Sequence, residues 1–327
     1  MDADTKPGRK SPSFFRCIDA GTEYCPCALA ELGECVMCPL LCGYENCDCD
    51  WNGTCVFQEY QWCRKAGKGP GRKSIIADVL EKETIHNHLL LLRLDVGQAL
   101  SEELCHPGSF VFLKKKEDTS FFEIPLAVMS ANAGKGEIQV LISVIGPKTK
   151  RLENCGRNLS VRGPYWNGIF GSRNIENTHN ENCLVVLDGI AQASGPLAVK
   201  RMLRNGNSVA VFLGEKEPVV IRNLLPQTVQ VFEMDLKRPG GKALLSSIMH
   251  QLKPACIFSG GDHRQHMLIR SLLAELEILP VLAISNNQQI CCGEGICGSC
   301  TVEMKGKQVR TCKACLNPEF VLNKHAS

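Results

Sequence analysis

Cys292-Gly293-Glu294-Gly295-Ile296-Cys297-Gly298-Ser299-Cys300, with Cys312 downstream, is the stretch from which the rest of the chain is read. Its Cys-x4-Cys-x2-Cys order, closed by a fourth cysteine, is the thiolate spacing of a [2Fe–2S] cluster. Two irons need four converging thiolates, and the glycines let the loop curl so that backbone amides can face the sulfurs. Thr301 to Val309 reads as a β-hairpin turning at Lys305-Gly306, which would return Cys312 to the loop. Zinc also accepts four thiolates, and a set of reduced core thiols is a third reading. Cys291 and Cys315 are spare, and Cys312-Lys313-Ala314-Cys315 is itself a Cys-x-x-Cys pair, so the fourth ligand is less fixed than the first three. A chain that binds iron here is expected to handle electrons one at a time.

Cysteines recur far from this loop. Of the 20 in the chain, ten lie between Cys17 and Cys63, and six crowd the C-terminus. The remaining four, Cys105, Cys155, Cys183 and Cys256, sit among apolar residues and read as ordinary buried thiols. The N-terminal group offers Cys17, Cys25, Cys27, Cys35, Cys38, Cys47, Cys49 and Cys55 as candidate ligands, with Cys42 and Cys63 as further thiols. Little periodic apolar sequence accompanies them, so metal–thiolate bonds are expected to stabilise the segment. No histidine precedes His86, which excludes a Cys2His2 finger. Both [4Fe–4S] and zinc accept four thiolates, and spacing alone does not choose between them or divide the ligands.

At 327 residues the chain can fold as two or three domains. Its cysteine content is about three times that of an average soluble protein. The opening Met1 to Lys10 is polar and lacks the apolar core of a signal peptide, so disulfides are not expected. No apolar run approaches the ~20 residues that cross a bilayer. These features predict a cytoplasmic protein without membrane partners. A net charge of +3 argues against nucleic acid as the main ligand.

Lys65 to Arg72 is Gly-rich and polar, the expected first domain boundary, flanked by Arg64, Lys65, Lys68, Arg72 and Lys73 as a solvated basic linker. Strand-like runs follow at Ser74–Leu80, His88–Leu94, Phe110–Leu113, Phe121–Met129, Gly136–Ile145 and Asn158–Val161. Turns separate them at intervals of roughly ten residues, the rhythm of an antiparallel barrel. From Cys183 the pattern alternates. Strands at Cys183–Leu187, Ser208–Leu213, Thr228–Phe232 and Ala255–Ser259 are interleaved with helices near Pro196–Asn205, Lys242–Leu252 and His263–Ile278. That is a parallel α/β sheet, whose ligands sit at the carboxyl ends of its strands. The expected fold is α+β and multidomain: a Cys-rich metal-binding segment over 1–70, an antiparallel β-barrel over 71–170, a Rossmann-like α/β domain over 171–285, and a [2Fe–2S] tail over 286–327.

Several motifs together carry a family resemblance over residues 72–320. They are Pro107-Gly108-Ser109-Phe110-Val111, Gly146-Pro147-Lys148-Thr149, Arg162-Gly163-Pro164-Tyr165-Trp166-Asn167-Gly168 and the tail from Gly298 to Phe320. The chain resembles the ferredoxin-reductase-like electron-transfer subunits of dihydroorotate dehydrogenase and of NADH-dependent ferredoxin:NADP oxidoreductase. With its cysteine-rich N-terminus it also resembles the reductase-like subunit of Sporomusa-type electron-bifurcating transhydrogenases. The resemblance implies FAD at the barrel, with Gly146, Pro147, Lys148 and Thr149 at the pyrophosphate and Pro125 and Leu126 beside the flavin. It also implies NAD(P)H at Gly189 and Gly260, and, as partners, ferredoxin and the flavin and iron–sulfur subunits of a multisubunit oxidoreductase.

Two motifs depart from the family. An Arg-x-Tyr-Ser or Arg-Ile-Pro-Leu-Thr segment is replaced by Glu123-Ile124-Pro125-Leu126-Ala127, which inverts the charge and removes the hydroxyl expected at flavin N5. Lys148 and Arg162 are the cations left to compensate. The Gly-Gly-x-Gly-x-Ala-Pro loop is replaced by Asp188-Gly189-Ile190-Ala191-Gln192-Ala193-Ser194, and Cys-Gly-Pro by Ser259-Gly260-Gly261. Two functions follow. One is a subunit that passes electrons between NAD(P)H, FAD and iron–sulfur clusters; the other is a flavin-free iron–sulfur scaffold that wires or docks partner subunits. No acid–base dyad or nucleophile is expected.

Overall fold

A computed structural model describes residues 15–47, 49, 51–67, 71–119, 123–214, 217–304 and 306–323. Lys68 to Pro70 of the linker, Phe121 at the start of one expected strand, and Lys305 of the hairpin turn lie outside the described residues. The chain divides into two compact units, one of Met1–Gly71 with Glu294–Cys315, the other of Arg72–Gly293 with Leu316–Ser327.

The second unit begins with a closed antiparallel barrel. Its strands are preceded in the chain by β1 (Arg16–Cys17) and run β2 (Ser74–Ile85), β3 (Leu89–Asp95), β4 (Phe110–Lys115), β5 (Ile124–Asn132), β6 (Glu137–Ser143) and β7 (Asn158–Tyr165), closing in the order β2-β3-β6-β5-β4-β7. Period-two alternation drives it. Leu90, Leu92 and Leu94 of β3 point into the barrel beside Val111, Leu113, Val140 and Val161, all buried. Each such side chain contributes roughly 1.5–3 kcal/mol on burial. The opposite face of β3 and its neighbours supplies Leu89, Met129 and Leu141 to a second core shared with the α/β layer.

That layer is a six-stranded sheet of β8 (Ile169–Phe170), β9 (Asn182–Leu187), β10 (Ser208–Leu213), β11 (Gln230–Glu233), β12 (Cys256–Gly260) and β13 (Val281–Ser285), in the order β11-β10-β9-β12-β13-β8. All neighbours are parallel except β13 and β8. The strand order reverses between β9 and β12, where doubly wound sheets open a ligand crevice. Leu184, Val185 and Val186 of β9 are wholly buried, so both faces of the sheet are covered there.

The first unit is discontinuous in sequence. After Gly293 the chain re-enters it through the cysteine loop, the hairpin β14 (Thr301–Met304) and β15 (Lys307–Arg310), and β16 (Ala314–Cys315). β16 pairs antiparallel with β1, matching Cys17 to Ala314 and Arg16 to Cys315. Its core is small: Ala30, Cys35, Met37, Cys38, Leu41 and Val56.

Candidate metal centres and cofactor motifs

The C-terminal loop is built from left-handed glycines, with φ of +71° at Gly293, +80° at Gly295 and +73° at Gly298. Only glycine adopts this region without cost, so three in one short loop enforce its curl. The hairpin brings Cys312 back to Cys300: the Thr311 amide and hydroxyl both donate to the Cys300 carbonyl, at 3.1 and 2.9 Å. Both thiols are buried. The Cys300 thiol is drawn below its ordinary value, chiefly by a hydrogen bond with the Cys312 thiol. Cys297 is exposed, with its sulfur 3.4 Å from the Ser299 hydroxyl. Cys292 lies at the end of the second unit, where its carbonyl accepts a hydrogen bond from Arg162 at 3.1 Å. The backbone of Cys315 pairs with Arg16 of β1. Cys300 and Cys312 are thus two adjoining buried thiols of the first unit, with Cys297 exposed on the same glycine loop as Cys300.

In the N-terminal segment Cys27 and Cys55 occupy the N-cap positions of the helices Ala28–Glu31 and Val56–Lys65, without a side-chain cap hydrogen bond. The Cys38 amide donates to the Cys35 sulfur at 3.3 Å, and the Cys42 thiol donates to the Cys35 carbonyl at 2.6 Å. Cys47 and Cys49 are exposed, their sulfurs 3.7 Å apart. Burial pushes the Cys25 thiol up to about 12, with the charges of Cys27 and Cys35 adding to it, and burial pushes Cys42 up to about 12 as well. Such thiols ionise at neutral pH only with a cation among them, so metal uptake would release protons. Among the described residues, no three Cys, His, Asp or Glu side chains converge as on a single metal ion.

One residue of this unit escaped sequence reasoning. Lys313, between Cys312 and Cys315, is wholly buried; its ammonium sits 2.6 Å from Asp19 and 3.0 Å from Glu294. Its partners are distant in sequence, and an exposed lysine and a buried one look alike in a single chain.

At the barrel, Pro125 and Leu126 of β5 stand opposite Phe112 and Val111 of β4. Glu123 is buried and accepts hydrogen bonds from Arg162, at 2.6 Å. Arg162 also donates to the Tyr165 hydroxyl, and its guanidinium lies 4.6 Å from the Phe112 ring centre. Phe110, Phe112 and Tyr165 pack with centroids 5.0–5.8 Å apart, with Ile290 against them. Arg72, expected in a solvated linker, is instead buried, bonded to the Pro164 carbonyl and 4.4 Å above the Tyr165 ring. Cation–π stacking on a tyrosine that follows it by most of the barrel has no local sequence signal.

Gly146-Pro147-Lys148-Thr149 opens the helix Pro147–Glu153. The Thr149 hydroxyl accepts from the Gly146 amide at 3.1 Å, and Lys148 is exposed. Helix cap and glycine turn are thus kept, while the family's arginine has become a carboxylate that engages Arg162. The residues present do not fit an FAD whose phosphate pairs with an arginine and whose N5 meets a hydroxyl.

Gly189 follows β9 with φ +58°, and Gly260 ends β12, where a Cβ would come within 2.7 Å of Leu187. Both are required by the turns themselves. A cleft of about 200 Å³ opens beside them, lined by Asp188, Lys237, Asp262, Arg264 and Gln265. Asp262 caps the following helix by accepting from the Gln265 amide at 3.0 Å. The carboxylates of Asp188 and Asp262 are matched in this lining by the cations of Lys237 and Arg264. Behind it, Ser259 bonds His266 at 2.8 Å and Asn287 lies 3.2 Å from the other ring nitrogen. Burial pushes His266 down to about 4. This polar network replaces the cysteine expected to face a nicotinamide.

No protein-family model matches the chain. It is 23% identical over 269 residues to an uncharacterized protein from the adh 3' region of Clostridium beijerinckii, covering 74% of this chain and 83% of that one. It is 26% identical over 208 residues to a probable dihydroorotate dehydrogenase B (NAD(+)) electron transfer subunit of Archaeoglobus fulgidus, covering 61% and 80%. Among solved structures, an NADH-dependent reduced ferredoxin–NADP oxidoreductase, described for flavin-based electron bifurcation, superposes with a TM-score of 0.58 at 20% identity over 76% of this chain and 94% of that one. The chain therefore has the ferredoxin-reductase-like fold, and the resemblance read from its motifs extends to a curated electron-transfer subunit. Among the described residues no helix is long and apolar enough to cross a membrane.

Proposed function

We propose that the chain is an electron-transfer subunit of a cytosolic multisubunit oxidoreductase, in which a flavin-free reductase-like scaffold passes electrons between partner subunits through iron–sulfur clusters without nicotinamide chemistry of its own. The observation that carries this reading is the glycine loop whose hairpin closes Cys300 onto Cys312. Cys292, Cys297, Cys300 and Cys312 would hold a [2Fe–2S] cluster, which supplies one-electron exchange. Partners would be flavin and iron–sulfur subunits and ferredoxin. The names of the relatives support this assignment, and an electron-bifurcating complex is its most specific form.

The Glu123–Arg162 pair favours the flavin-free form. A second reading, with FAD and NAD(P)H bound, has the retained turns at Gly146–Thr149, Gly189 and Gly260 in its favour. Flavin released on denaturing the anaerobically purified chain separates them. The flavin-free form predicts none; about one FAD per chain would establish the second reading. Cys297→Ala should abolish the [2Fe–2S] signal with the barrel still folded by circular dichroism, and an unchanged spectrum would refute the ligand assignment.

A further inference from the structure

The geometry points to a binding site for an organic anion, a carboxylate or phosphate group carried on a flat apolar body, in the cavity along β15. The inference goes beyond the electron-transfer reading and does not depend on it.

This cavity lies wholly within the first unit and measures about 360 Å³, inside the range of small-molecule sites. It owes its existence to a free strand edge. β15 pairs with β14 on one side, and among the described residues no strand pairs with its other side. Side chains alternate between faces along a strand, yet Lys307, Gln308, Val309 and Arg310 all line the cavity. It therefore runs along the strand's outer edge. The rest of the lining comes from the N-terminal segment. Phe15 and Val36 contribute apolar side chains, joined by a hydrogen bond from the Phe15 amide to the Val36 carbonyl at 3.1 Å. Tyr44 adds a second ring, and the Cys42 thiol is turned to the Cys35 carbonyl at 2.6 Å.

Charge decides the sign of the ligand. The lining holds two cations, Lys307 and Arg310, against one carboxylate, Glu34. A net positive wall disfavours a metal cation and favours an anion. Arg310 is incompletely used: its Nη2 donates to Glu34 at 2.8 Å, while its Nε is buried and finds no acceptor among the described residues. An unmet donor on a buried charged group is costly, so an acceptor belongs beside it. Guanidinium N–H groups lie in one plane, a geometry that matches carboxylate and phosphate oxygens. Lys307 brings the second charge, its ammonium 6.0 Å from the centre of the Tyr44 ring. Phe15, Val36, Tyr44 and Val309 then select a flat apolar body, because a bare ion gains nothing from them.

The test is isothermal titration calorimetry on the full-length chain, purified anaerobically, with naphthoate, phenyl phosphate, naphthamide and inorganic phosphate as probes. Four forms are compared: wild type, Lys307→Gln, Arg310→Gln and, as a control, Lys135→Gln in an exposed turn of the barrel. The wild type is expected to bind naphthoate or phenyl phosphate at one site per chain, and the tighter of the two tells a carboxylate ligand from a phosphate one. Naphthamide lacks the charge and inorganic phosphate lacks the apolar body, so each should bind about tenfold more weakly or worse. Lys307→Gln and Arg310→Gln should each weaken the tighter anion by about tenfold, the worth of one charge-assisted hydrogen bond. Lys135→Gln should leave it unchanged. No saturable binding of either aromatic anion to the wild type would overturn the assignment. So would naphthamide binding as well as naphthoate, or an affinity indifferent to both Lys307→Gln and Arg310→Gln. Because the wild-type titration is read directly, misfolding of a variant does not shield the proposal. A chain that binds the anion yet shows no [2Fe–2S] signal would defeat the function proposed above and leave this site standing.

Discussion

Lys313 illustrates how much one side chain holds. Its charge is removed from water and balanced by Asp19 and Glu294. Lys313→Met would leave two carboxylates facing each other in the interior, and losing one partner of a buried ion pair costs about 3–5 kcal/mol. The expected result is a lower denaturation midpoint for the first unit, largely restored by adding Asp19→Asn and Glu294→Gln. His266 sets a pH dependence in the second unit. Its folded value is depressed to about 4, against about 6.5 in an unfolded chain, so the unfolded state binds more protons between these limits. Its contribution to stability is fully present above pH ~6.5 and is lost as pH falls towards 4, for about 3 kcal/mol in all. Urea titrations across that range should show the fall, and His266→Asn should flatten it.

At the scale of elements, the barrel and the parallel sheet were legible because their signals are local. The leucine run from Leu89 to Leu92 with Leu94 marked β3, and the strand-to-helix alternation after Cys183 marked the α/β layer. Ends were less legible. β2 continues through Glu81 to Ile85, a polar stretch held by its ladder to β3 rather than by burial. β7 continues through Arg162-Gly163-Pro164 to Tyr165, read from sequence as the exit of the barrel, because Tyr165 pairs with Phe110. The β1–β16 ladder, which joins the two cysteine segments into one unit, had no signal: two residues at each end of the chain carry no period. The altered motifs at Glu123 and Asp188 could be seen in the sequence, with Lys148 and Arg162 as the cations left to compensate; the structure pairs Arg162 with Glu123. Within the cysteine loop, Gly295→Ala would demand φ +80° of a residue with a side chain and drive it into Leu29. Strain of roughly 1–2 kcal/mol, plus the clash, should loosen the loop. Faster loss of the [2Fe–2S] absorbance in chelator would register it.

For the whole molecule, the division into units matters most. The reductase-like barrel and sheet form one body with apolar cores, while the cysteine-rich ends of the chain form another whose core is thin. Removing iron should therefore unfold the cysteine-rich unit and spare the barrel, a separation that differential scanning calorimetry of iron-loaded and stripped protein would resolve as the loss of one transition. The most direct measurement is low-temperature EPR, with iron and sulfide determination, on anaerobically prepared protein before and after dithionite. The account predicts a reduced [2Fe–2S] signal that appears on adding the reductant. Colourless protein, silent after reduction and free of iron, would contradict it.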